Sequence, residues 1–128
     1  MMQTITIEWR HLDVAGKTCQ RCSDTGAELM AAIAQLQAEC GPRGVRIHFQ
    51  ETKLTGDEIA HSNTILINGT PLETILLGAQ TSESCCTSCA DLTGRPEQCR
   101  TLVHLGQEHE TIPQDLIRQA VCRVGQCC

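Results

Sequence analysis

The spacing of apolar side chains changes period several times along the chain, and each change marks a predicted element. Residues 4–10 (Thr-Ile-Thr-Ile-Glu-Trp-Arg) alternate polar and apolar, the two-residue period of a strand with one buried face. Further on, Leu29, Ile33, Leu36 and Cys40 fall at i, i+4, i+7 and i+11, one face of a helix predicted over residues 19–40 and stopped by Gly41-Pro42. Extended backwards, that stripe passes through Gly26 and Cys22, so Cys22 is expected to be the more buried thiol and Cys19 the more exposed. Val45-Arg46-Ile47-His48-Phe49 is a second alternating strand, and a short helix opens at Thr55. Thr64-Ile65-Leu66-Ile67, the Asn68-Gly69 turn and the run from Pro71 predict a hairpin. Residues 100–105 return to a strand. A last helix is expected from Thr111, whose Thr111-Ile112-Pro113-Gln114 start fits a capping box, with Ile112, Leu116, Ile117, Ala120, Val121 and Val124 buried. Residues 78–98 show neither period; they are polar and rich in turn formers, and read as a loop without an apolar face. Gly125 ends the last helix and leaves residues 126–128 as a tail.

Composition narrows the function classes. At 128 residues the chain is read as one domain, 1–128, large enough for a core. That core must be aliphatic, because Trp9 and Phe49 are the sole aromatic residues and tyrosine is absent. A net charge of −5 with scattered basic residues argues against nucleic acid and against anionic membrane surfaces. No apolar run reaches membrane-spanning length, and the N-terminus lacks the apolar stretch of a signal peptide, so the expected location is the cytoplasm. Phosphate-binding glycine loops, serine-nucleophile elbows and His-Glu-x-x-His are all missing, and no organic cofactor is expected.

Ten cysteines change the picture. In a reducing compartment such a number points to metal or redox chemistry, not to structural disulfides. Cys19 and Cys22 stand three apart at the junction between the first strand and the first helix, about one turn from each other. The positive end of that helix, with Lys17 and Arg21 beside the pair, favours thiolate over thiol. Cys85, Cys86, Cys89 and Cys99 cluster in the polar segment, placing an insert at about 78–99; Cys86 and Cys89 have the spacing of a zinc or iron–sulfur knuckle. Cys127 and Cys128 form a vicinal pair suited to picking up a thiophilic ion, with His104 or a tail cysteine as candidates to complete the insert's ligands. Cys40 and Cys122 read as isolated core positions. The other histidines, His11, His48, His61 and His109, carry no pattern of their own.

Strand, CxxC, helix, strand, short helix, hairpin and terminal helix, in that order, resemble the thioredoxin superfamily, and most of the chain outside the insert takes part. The closest resemblance is to a small, uncharacterised, cysteine-rich thioredoxin-like family. The resemblance implies an α/β fold with a central mixed sheet flanked by helices, Cys19 as nucleophile and Cys22 as resolving thiol. The chain departs from the superfamily pattern in two places: Gln20-Arg21 separates the cysteines, and Ser62-Asn63-Thr64 stands where a cis-proline usually shields the dithiol from metals. The vicinal tail pair is similar, in chemistry alone, to the C-terminal pair with which mercuric reductase passes mercury to its buried site.

These observations give a leading expectation: a thiolate protein that binds a thiophilic metal or metalloid of the mercury or arsenite type. Its loci would be Cys19/Cys22 and Cys85, Cys86, Cys89, Cys99, Cys127 and Cys128. Two alternatives stand beside it. One is a dithiol–disulfide oxidoreductase acting on a thiol or disulfide partner protein. The other is a structural or interaction module whose insert holds zinc.

Overall fold

The computed structural model describes residues 3–85 and 87–128, with the side chains of 59, 60 and 87–89 outside the description. The elements run β1 (Gln3–Leu12), α1 (Gln20–Cys40), a 3-10 turn (Gly41–Arg43), β2 (Val45–Leu54), a second 3-10 segment (Gly56–His61) and β3 (Thr64–Ile67). They continue with β4 (Thr70–Pro71), α2 (Leu72–Ile75), β5 (Ala79–Cys85), α3 (Thr87–Thr93), β6 (Gln98–His104), β7 (Gln107–His109) and α4 (Gln114–Gly125).

Two sheets result, a mixed one of order β2-β1-β3-β4 and an antiparallel one of order β5-β6-β7. In the first, β1 runs parallel to β2 and antiparallel to β3. The alternation in β1 sends Ile5, Ile7 and Trp9 inward, and the buried stripe of α1 (Cys22, Thr25, Gly26, Leu29, Ala32, Ile33, Leu36 and Cys40) packs in the same core. Fully burying a side chain such as Ile5 or Leu29 contributes about 1.5–3 kcal/mol, so this layer carries much of the stability. Gly26 is the closest approach: a Cβ there would sit 2.6 Å from Trp9 Cη2, so α1 lies against the indole only because residue 26 has no side chain. Among the described residues no helix is long and apolar enough to cross a membrane, and no peptide bond is cis.

Three expectations are corrected. The segment 78–98 is not a loop: β5 pairs with β6 from Ala79↔His104 to Cys85↔Gln98, and α3 lies between them. Its residues looked like loop because β5 is almost wholly solvent-facing; the pairing is set by β6, where Cys99, Thr101 and Leu102 are buried. The run after Pro71 pairs for two residues only and then turns into α2. The last helix starts at Gln114, not at Thr111. Pro113 is extended at its N-cap and no side chain caps it; Glu28 of α1 accepts from the Gln114 N–H at 3.1 Å instead. Ile112 is buried but precedes the helix.

Arginines join the two sheets. Arg100 Nη2 reaches Glu73 Oε1 at 2.5 Å and its other nitrogen reaches the Thr64 hydroxyl, while Arg95 Nη2 donates to the Gly56 carbonyl at 3.0 Å. Arg100 ties the β5-β6 segment to β3 and α2, and Arg95 ties it to the second 3-10 segment.

Candidate functional site

Cys19 occupies the N-cap of α1 and Cys22 its first turn, so the strand-to-helix junction presents both sulfurs at the helix's positive end. Cys19 is not the exposed member of the pair, as helical phase alone predicts. It is 1% exposed and Cys22 is fully buried, because Cys19 precedes the helix in extended conformation and so leaves the helical phase. Cys22 is held in its thiol form. Its hydrogen bond to Cys19 is the largest cause, burial and the charge of Cys19 add to it, and bonds from the Leu12 backbone and Thr18 oppose it.

The surroundings of the pair come from β1 and the loop after it. His11 lies at the end of β1, where it stacks on Trp9 at 4.1 Å and places Nε2 2.7 Å from Glu51 Oε2. Its Nδ1 lies 3.0 Å from the Leu12 carbonyl and 3.3 Å from the Thr18 hydroxyl, the same hydroxyl that bonds Cys22. His11 and Thr18 also line a groove of 440 Å³ with Trp9, Phe49 and Glu51. No residue pattern signals this arrangement, since only burial distinguishes His11 from the other histidines.

Arg21 is not aimed at the thiols. Although 7% exposed, it spends its guanidinium on the second sheet, donating to the carbonyls of Ser84 at 3.5 Å, Cys99 at 3.4 Å and Cys85 and to Glu110 Oε1 at 3.2 Å. Lys17 is exposed. Of the two basic residues beside the CxxC pair, then, one binds the insert to α1 and the other faces solvent. Glu110 in turn accepts through its carbonyl from Asn63 Nδ2 at 3.0 Å, linking the Ser62-Asn63-Thr64 segment to the same network.

Among the described insert cysteines, Cys85 and Cys99 point away from each other. Cys99 stands opposite Ser84 and Cys85 opposite Gln98, so the two side chains leave opposite faces of the β5-β6 ladder. Burial agrees: Cys99 is in the core and Cys85 is exposed. Cys86 and the side chain of Cys89 lie outside the described residues. His104, a candidate to complete that set, instead lines a depression beside Cys122 and Cys128.

The tail is the larger correction. Gly125 packs so closely that a Cβ would meet Ile5 Cδ1 at 2.7 Å, and Gln126 is left-handed (φ 51°), which turns the chain back on itself. Cys127 enters the core and forms a disulfide with Cys40 at a Cα separation of 5.1 Å; Cys128 forms another with Cys122 at 5.2 Å. The residues read as isolated, Cys40 and Cys122, thus pair with those read as a loose tail. The sulfurs of Cys40, Cys127 and Cys128 lie within 4.8 Å of one another, as do those of Cys122 and Cys128 with a Glu39 oxygen, a cluster that could hold a metal ion. A Gly directly after an apolar helical face, with two cysteines one residue further on, was the one sequence signal for this reversal.

The two thiol centres do not meet. Cys22 opens α1 and Cys40 closes it, about 27 Å apart along the axis at 1.5 Å per residue.

No solved structure matches the chain. A protein of Archaeoglobus fulgidus (strain ATCC 49558 / DSM 4304 / JCM 9628 / NBRC 100126 / VC-16), described as an uncharacterized protein, is 37% identical over 117 residues, which cover 88% of this chain and 82% of the relative. A family model also matches, over residues 5–121, a span that holds Cys19, Cys22, Cys40 and the insert cysteines and stops short of Cys122, Cys127 and Cys128. By both likenesses the chain belongs to the family described as Domain of unknown function (DUF2703).

Proposed function

We propose that this protein binds a soft metal or metalloid ion, of the mercury or arsenite type, through the thiolates of Cys19 and Cys22 on a thioredoxin-like scaffold. The scaffold reading is supported by the β2-β1-β3-β4 order, with β1 parallel to β2 and antiparallel to β3, and by the CxxC pair between β1 and α1. The observation that carries the ion reading is the burial of both sulfurs at the mouth of α1. Exchange with a protein disulfide requires a bulky substrate to reach a sulfur in line with its own S–S bond. At 1% exposure Cys19 offers no such approach, whereas an ion needs only a narrow path and gains from low polarity around its thiolates. Cys99 supports the same reading: Arg21 holds its backbone against the helix turn that carries the pair, and its sulfur is buried in the same core.

The test is uptake of arsenite and of mercuric ion by anaerobically reduced protein, followed by mass spectrometry and by the loss of titratable thiols. One ion per chain is expected, with affinity reduced at least tenfold in Cys19→Ser and in Cys22→Ser. Equal uptake by the wild type and both variants overturns the assignment.

A second reading, dithiol–disulfide oxidoreduction with Cys19 as nucleophile, is favoured by the hydrogen bond that keeps the proton on Cys22. It requires turnover of a small disulfide that Cys19→Ser abolishes.

A further inference from the structure

The opposite end of α1 carries a second sulfur centre, independent of the Cys19–Cys22 reading, with Cys122, Cys127 and Cys128 beyond the span matched by the family model and Cys40 inside it. Its parts come from three places in the chain. Cys40 is the last residue of α1, Cys122 lies in the last turns of α4, and the reversal at Gln126 brings back Cys127 and Cys128. The two disulfides are not merely close. Cys40 Sγ lies 4.0 Å from Cys128 Sγ, across the two bonds. In a tetrahedral zinc–thiolate site with bonds of about 2.3 Å, neighbouring sulfurs are separated by about 3.8 Å. One edge of that tetrahedron is therefore already in place between the two disulfides. A covalent S–S bond is about 2 Å long. Opening each bond to the tetrahedral edge separates its two sulfurs by on the order of 1 Å apiece. Cys122, which clusters with Cys128 and Glu39 but not with Cys40 and Cys127, has the furthest to come.

We infer that, once its disulfides are reduced, Cys40, Cys122, Cys127 and Cys128 form a tetrathiolate site for a divalent, zinc-class cation, and that the disulfide state gates it. Each disulfide takes two electrons and two protons from a dithiol reductant, which leaves as a cyclic disulfide, and two thiols are formed. The cation then displaces the four thiol protons to solvent. Oxidation by a disulfide reverses the sequence and expels the ion, because a sulfur in a disulfide is no longer a thiolate ligand. Cysteines of such a site suit zinc, for which four thiolates in tetrahedral array are a common closed coordination.

The rest of the site fits a resident ion. Cys128 is exposed, and with Cys122 it lines an open depression of 590 Å³ shared with His104 and Leu105, which gives the ion a path in. Glu39 Oε2 lies 3.7 Å from Cys128 Sγ, and Arg118 Nη2 donates to Glu39 Oε1 at 2.6 Å and Oε2 at 2.7 Å, so a cation beside the negative centre has an outer carboxylate and a balancing guanidinium at hand. Either closed form, two disulfides or one bound ion, fixes the end of α4 to the end of α1. Reduction without metal releases it.

The experiment uses the full chain carrying Cys19→Ser and Cys22→Ser, so that failure of the soft-ion reading cannot be confused with failure here. Cobalt(II) is the probe, since tetrahedral cobalt thiolates absorb strongly in the visible, and zinc(II) is added afterwards to displace it. After anaerobic reduction with a dithiol, one cobalt per chain is expected with a four-thiolate spectrum, which zinc removes. The same chain with its disulfides intact should give no such spectrum. Adding Cys128→Ser, at an exposed position that leaves the core alone, should abolish the four-thiolate spectrum and weaken binding at least tenfold. No cobalt uptake by the reduced chain, equal uptake before and after reduction, or a spectrum unchanged by Cys128→Ser each overturns the inference.

Discussion

Arg21 Nη1 donates to the carbonyl of Cys99 at 3.4 Å, so a residue lying between the two CxxC cysteines holds the strand of a third. The same guanidinium also satisfies Ser84 and Cys85. A buried charge is retained only where it is hydrogen-bonded, and here its acceptors are backbone groups of the insert together with the Glu110 carboxylate. Replacing Arg21 with Met keeps the length and apolar stem but leaves those carbonyls unpaired. We expect a loss of about 2–4 kcal/mol, with faster amide exchange confined to residues 79–104. Uniform exchange across the chain would contradict the local role.

The contact of Trp9 with Gly26 sets the depth of α1 against β1. Ala at position 26 drives a methyl against the indole, at 2.6 Å from Cη2 before relaxation. Overpacking of this kind costs about 1–3 kcal/mol. Trp9 is the one tryptophan, so its fluorescence reports the displacement directly. A Gly26→Ala variant with unchanged emission and stability would show that the ring has room to retreat.

The two disulfides differ in reach. Cys40–Cys127 spans 87 residues and Cys122–Cys128 spans 6. In the chain-entropy model the first stabilises by about 4–5 kcal/mol and the second by about 2 kcal/mol. Denaturant unfolding of the oxidised chain should therefore respond more to Cys40→Ala/Cys127→Ala than to Cys122→Ala/Cys128→Ala. The reverse order would mean that the tail reversal, not the long closure, secures α4.

Glu8 predicts part of the acid limb. A hydrogen bond from Arg10 at 2.8 Å, followed in effect by one from Thr52, holds its carboxyl below the usual 4.5 despite some opposing desolvation. A depressed carboxylate contributes stability that is present above the unfolded value and lost as pH falls through the folded one. Glu8→Gln should then be less stable than the wild type near neutrality, by up to about 1 kcal/mol, with the difference shrinking below pH 4.5. A difference that stays constant from pH 7 to pH 3 would sink the assignment.

Much of the first sheet was legible in the chain. The alternation at residues 4–10, the stripe from Cys22 to Cys40 and the Asn68-Gly69 turn each encode a local period, and local periods survive into the structure because each buries one face. The insert was not legible. The residues of β5 are polar on both sides and become a strand only by pairing with β6. The same limit applies to the sulfurs. The sequence by itself determined that Cys19 and Cys22 stand at the start of a helix, since the apolar stripe that ends at Cys40 runs back to Cys22. Which other cysteines meet was decided by tertiary structure alone. Cys40 and Cys127 are 87 residues apart and come together because Gly125 and Gln126 reverse the tail into the core, while the length of α1 keeps them away from Cys22. A rigid helix fixes distance, a reversal fixes direction, and neither is a property of cysteine spacing.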